Sequence, residues 1–87
     1  MPRQRISAGE RLKRKRRQLG LSLRDVHRES MRIAKERHNR KFALPVSRLH
    51  SFETKQNTPS VYRIFTLARI YGCTLFEILS WYGIPGP

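Results

Sequence analysis

Gly20-Leu21-Ser22-Leu23-Arg24-Asp25-Val26 reads as a corner between two helices. Gly20 can take the left-handed conformation that closes a helix at low steric cost. Ser22 and Asp25, three residues apart, form a capping box that opens the next helix, and Leu21 with Val26 can make the hydrophobic staple across it. The same scheme recurs in Gly72-Cys73-Thr74-Leu75-Phe76-Glu77-Ile78: glycine, apolar residue, hydroxyl cap, leucine, any residue, acid, β-branched residue. One corner solution used twice across otherwise unlike segments does not suggest a solenoid.

On the N-terminal side of that corner, Ser7-Ala8-Gly9-Glu10 is another capping box. It opens a first helix that carries Leu12 and Leu19 on one face and ends at Gly20. On the other side, Val26, Ser30, Ile33 and Arg37 share a face of the second helix. Neither Gly nor Pro interrupts it before Pro45, so it extends to about His38. Asn39 to Leu44 reads as a loop. Pro45 suits the first position of a third helix, where a missing N–H costs nothing, with Leu49 and Phe52 inward and an end near Thr54. Lys55-Gln56-Asn57 is a polar connection, and Thr58-Pro59 opens a fourth helix. Its face of Val61, Ile64, Leu67, Ala68 and Tyr71 is the widest apolar surface in the chain, closed by Gly72. A fifth helix turns Leu75, Ile78, Leu79 and Tyr82 inward until Gly83. The expected fold is all-α, with five helices, an extended second helix and no strand pattern.

A chain of 87 residues encloses one apolar core. The expected organisation is a basic arm over residues 1–6, a helical domain over 7–84 and a disordered tail over 85–87. The 38% of hydrophobic residues suffices for a globule, while 19 basic residues against 6 acidic ones call for a polyanionic partner, nucleic acid or an acidic membrane surface. Of the charged residues, 15 basic and 4 acidic lie between Met1 and Lys41, so the first half supplies the electrostatics. Cys73 is the only cysteine, which excludes an intrachain disulfide and a zinc site of cysteine ligands and leaves it a small staple residue. His27, His38 and His50 have no metal-ligand spacing, and no metal, cofactor or small-molecule ligand is expected. No paired carboxylates, nucleophile and base, or phosphate loop are present, so an enzyme is not expected. Without an apolar run for a signal peptide or a bilayer span, a soluble cytoplasmic protein with no membrane partner is expected.

Gly9-Glu10-Arg11-Leu12, Arg16, the Gly20–Val26 corner, Ser47 to Glu53, Pro59-Ser60 and Leu67-Ala68-Arg69-Ile70-Tyr71-Gly72 follow one another in a familiar order. In these residues the chain resembles the lambda-repressor-like family, which includes phage repressors, Cro and the XRE-type bacterial regulators. The resemblance implies a helix-turn-helix domain whose third helix lies in the major groove, with dimers reading two half-sites about one helical turn apart. It implies a sequence-specific transcriptional regulator that binds double-stranded DNA, of bacterial or phage type, working at the nucleoid in the cytoplasm. In that family a tight turn joins the second and third helices. Here about a dozen extra residues intervene, where short connections are usual, and Arg28, Arg32, Lys35, Arg37, Arg40 and Lys41 crowd them.

By the same resemblance the base-reading positions fall on Val46, Ser47, His50 and Ser51, with Arg48 close by. Arg48 is the one residue there able to fork onto guanine O6 and N7. Phosphate contacts fall on Ser22, Leu23 and Arg24, through backbone N–H groups and the helix dipole, and on Lys55, Gln56 and Asn57. Arg16 and Glu53 fall where the family often links its first and third helices by a structural ion pair. Arg3 and Arg5 can follow a groove as a basic arm or stay unstructured. The run Arg11 to Arg17 cannot all face one partner, since consecutive helical residues point about 100° apart, and most of it is solvated, its stems covering the core. Phe76, Trp81, Tyr82 and Ile84 are a candidate homodimer interface, the alternative being that Trp81 folds back over the first helix. Two other functions stay open. One is a protein-interaction module such as an antitoxin or adaptor. The other is an RNA or single-strand binder, which would display exposed aromatic platforms where this chain has its aromatics at core spacing.

Overall fold

The computed structural model describes residues 6–85. The readings made for the basic arm and for the end of the tail therefore fall outside the described residues, apart from Ile6 and Pro85. Ser7 is extended and its hydroxyl accepts from the Glu10 N–H at 3.1 Å, which satisfies one free amide at the start of α1 (Ala8–Gln18). Only the hydroxyl half of the expected box is seen there; the Glu10 carboxylate pairs with Arg14 at 3.5 Å instead. Gly20, at φ 71°, closes the helix, with the Leu21 N–H reaching back to the Arg16 carbonyl at 3.0 Å. Leu19 was expected inward and is 45% exposed, because the buried part of α1 is its first turns, Gly9 and Leu12.

Both arms of the Ser22–Asp25 box are formed, at 3.0 and 2.9 Å, and start α2 (Leu23–Glu36), which buries Val26, Ser30, Ile33 and Ala34. It stops two residues short of the expected His38. That histidine holds the left-handed position, φ 53°, that glycine usually takes, and the Asn39 N–H closes onto the Ala34 carbonyl at 2.9 Å. The segment expected as a plain loop contains a 3₁₀ turn, Arg40–Phe42, whose entry is capped by Asn39, and Leu44 is fully buried in the core. Pro45 is the N-cap of α3 (Val46–Thr54) and not its first residue: its ψ of 147° is extended while its carbonyl already accepts from Leu49 at 2.9 Å.

Ser60, rather than Thr58-Pro59, caps α4 (Val61–Tyr71), with Gly72 closing it at φ 68°. Val61, expected on the core face, is 61% exposed although the rest of the first turn is covered, Tyr62 lying against Phe42 and Arg63 donating to the Ala43 carbonyl; Thr66 is buried beneath the Phe42 carbonyl to which it donates. The Thr74–Glu77 box starts α5 (Leu75–Trp81), which buries Ile78 and packs Leu75, Leu79, Trp81 and Tyr82 against the core's edge.

The core joins all five helices: Leu12 of α1, Val26 of α2, Leu44 before α3, Leu49 and Phe52 of α3, Ile64, Leu67, Ala68 and Tyr71 of α4, and Ile78 of α5. Helix α3 packs on α1 and α2, while α4 packs on α2, α5 and the 3₁₀ turn. The described residues are all helix and connection, with no strand, and no single helix is long and apolar enough to cross a membrane.

Candidate nucleic-acid interface

Helix α3 is divided along its length. Leu49, Phe52 and Glu53 face inward, Ser47, Arg48 and His50 are exposed, and Val46 and Ser51 are half-buried at the boundary. What fixes the inward side is a close crossing with α1. A Cβ added to Gly9 would lie 2.5 Å from the Phe52 carbonyl oxygen and 2.8 Å from that of Glu53, so the two backbones meet where no side chain fits.

About two turns further along α1, Arg16 donates from Nε to Glu53 Oε2 at 2.6 Å and from Nη2 to Oε1 at 2.9 Å, a bidentate pair. A third donor, Nη1, reaches the Leu21 carbonyl at 2.9 Å. The side chains are only 11% and 4% exposed. Hydrogen bonding to Glu53 raises the Arg16 pKa above its ordinary value against the opposing effect of burial. One guanidinium thereby ties α1, α3 and the corner leading into α2, which sets the exposed edge of α3 relative to the start of α2.

The phosphate candidates differ in what they leave open. Arg24, Lys55, Gln56 and Asn57 are exposed. Ser22 spends its N–H on Asp25 Oδ2, and Leu23 packs its side chain on the core, so only main-chain groups of α2's first turn remain there. The Asp25 carboxylate is held below the usual carboxylate range, chiefly by the Ser22 N–H and then its hydroxyl. That keeps a negative charge near the site, offset in part by Arg28 at 3.5 Å.

Of the other singled-out residues, Phe76 and Ile84 are exposed, while Trp81 and Tyr82 are half-buried beside the start of α1. Burial pushes the Tyr82 hydroxyl up to about 12. His27 Nδ1 lies 2.8 Å from the Leu44 carbonyl, and among the described residues no cluster of His, Cys, Asp or Glu could hold a metal.

Sequence reasoning missed how the connection into α3 is held. Ser30 Oγ accepts from the Leu44 N–H at 2.8 Å and donates to the His27 carbonyl at 2.6 Å. From the opposite side, Thr66 Oγ1 donates to the Phe42 carbonyl at 2.7 Å and Arg63 Nε to that of Ala43 at 3.1 Å. The basic residues of the insertion also separate into kinds. Arg32 pairs with Glu29 at 3.1 Å, Arg37 stacks 4.8 Å over Phe65, and Lys41 lies 5.2 Å over Tyr62. Among the described residues no carboxylate lies within 4 Å of Arg24, Lys35, Arg40, Arg48 or Lys55.

No family model, curated protein or solved structure matches the chain. What it does is therefore read from its own surface.

Proposed function

We propose that the chain is a sequence-specific double-stranded DNA-binding domain of the lambda-repressor-like type, acting in transcriptional regulation on nucleoid DNA in the cytoplasm. The observation that carries this reading is an α3 whose inner side is locked by Gly9 and the Arg16–Glu53 pair while its outer side bares Ser47, Arg48 and His50 between cations at Arg24 and Lys55. A reading helix must be rigidly placed, because base-edge hydrogen bonds discriminate only at fixed geometry.

In this proposal α3 enters the major groove and Arg48 forks onto a guanine. Ser47, His50 and Ser51 offer single hydrogen bonds, and Val46 meets a thymine methyl. Arg24 and Lys55 to Asn57 hold phosphates on either side and set the register. A two-fold homodimer through Phe76, Trp81, Tyr82 and Ile84 would place two α3 helices on successive half-sites.

Selection of bound duplexes from a random pool tests this. The expected result is one enriched motif, palindromic if the dimer forms, bound at least about 1,000-fold more tightly than a scrambled duplex. Arg48→Ala should relax the preference at one guanine and cost about 1–3 kcal/mol there. A pool that emerges without enrichment overturns the proposal, and a co-purifying protein partner combined with that result would favour an interaction module.

A further inference from the structure

Helix α2 has two unlike flanks beyond its buried side. On one, Glu29 pairs with Arg32 at 3.1 Å and Glu36 with Arg69 at 3.2 Å around a shallow hollow, so that charge is neutralised locally. On the other, Arg24, Arg28, Met31, Lys35 and His38 recur at spacings of four, three, four and three, one helical stripe. Two adjoining hollows run along this stripe and share Met31, which is 48% exposed at its centre. The first is walled by Arg24, Arg28 and Val46, the second by Lys35, His38 and Arg40, and no carboxylate lines either one. Among the described residues, only Arg28 of this stripe has a carboxylate within 4 Å, that of the capping Asp25 at 3.5 Å. Since Val46 begins α3, the stripe is continuous with the proposed reading edge.

The geometry points to a second row of duplex contacts: the lengthened α2 lies across the major groove, with Arg24 on the phosphates of one wall and Lys35 with Arg40 on those of the other. This inference rests on the DNA-binding reading above. Arg24 and Lys35 are about 16 Å apart along the helix axis at about 1.5 Å per residue, enough to bridge a groove about 12 Å wide. The 3₁₀ turn, fixed by Ser30, Thr66 and Arg63, brings Arg40 to the Lys35 end. Met31, between the charged ends, meets the sugar edge with a flexible apolar side chain. The extra residues between α2 and α3 therefore lengthen the footprint without adding sequence information, because phosphate contacts carry none.

The test uses the whole chain, the selected duplex, and the double variant Lys35→Gln with Arg40→Gln. Both side chains are exposed, so the thermal melt should be unchanged. With log K falling by about 0.9 per phosphate contact per log unit of salt, losing two contacts weakens binding ~200-fold at 50 mM and ~20-fold at 200 mM. Discrimination against the scrambled duplex should stay the same, and a hydroxyl-radical footprint should shorten at one edge. A variant with the parent's salt slope and footprint overturns the inference and leaves the DNA-binding reading standing, whereas no binding by the unaltered chain sinks both. If the variant keeps duplex binding and instead loses adsorption to vesicles of anionic phospholipid, the stripe serves a membrane surface and the inference is wrong.

Discussion

Where α1 crosses α3, the helices meet backbone to backbone at Gly9, and a single buried charge pair, Arg16 with Glu53, fixes their angle. Where the chain passes from α2 into α3, no such contact exists; four side chains from α2 and α4 hold the backbone at Phe42, Ala43 and Leu44 by separate hydrogen bonds. Both arrangements serve the same helix. The first makes α3's position depend on a few specific groups, while the second spreads the same task over ordinary polar residues, each worth about 1 kcal/mol or a little more.

The sharpest way to break that contrast is Glu53→Ala. It strands the Arg16 guanidinium in the interior and should cost about 3–5 kcal/mol in urea unfolding. Replacing both partners by methionine should recover most of the loss, since a buried pair contributes position more than stability. Gly9→Ala comes next. Alanine is the better helix former, yet its Cβ would collide with two main-chain oxygens, so α1 must shift, with a loss of about 2 kcal/mol. An unchanged or raised melting temperature would show that the crossing is looser than the distances say. In the other region, Ser30→Ala leaves the buried Leu44 N–H without its acceptor and should cost about 1–2 kcal/mol. Hydrogen exchange should then quicken at Leu44 while α1 and α3 stay protected; exchange that speeds up everywhere would mean the connection is not separable.

The smallest effect concerns the corner itself. Asp25 is held in its ionised form by Ser22, so its folded pKa lies below its unfolded value. The stability it contributes is complete above the unfolded value, near 3.9, and is lost as the pH falls through the folded one. Between about pH 6 and pH 2, the melting temperatures of the parent and Asp25→Asn should therefore converge on the acid side. A gap that stays constant with pH would contradict the assigned cause.

The order of these effects parallels what could be read in advance. Glycine closures and hydroxyl caps with an acid three residues on are signals carried by single residue types, and each marks an element in place, whereas the Arg16–Glu53 pair was implied by the family resemblance. Leu44 and its anchors were illegible because Ser30, Arg63 and Thr66 are common residues whose partners lie 14 to 24 positions away, a pairing that only the folded chain creates. Leu19 and Val61 misled for a related reason: periodicity tells which face a residue takes, and not whether a neighbour reaches far enough to cover it. The charge of the insertion was plain, but its division into stacked, paired and open cations depended on Phe65, Tyr62 and the Asp25 and Glu29 carboxylates.

Titration of the isotope-labelled chain with its selected duplex, followed amide by amide, tests most directly which surface meets DNA. The account predicts the largest shifts at Val46 to Ser51, at Lys55 to Asn57 and at the start of α2, with α5 little changed apart from residues at a dimer contact. Shifts gathered on α5 or at Glu29, Arg32, Glu36 and Arg69, with α3 silent, would contradict it.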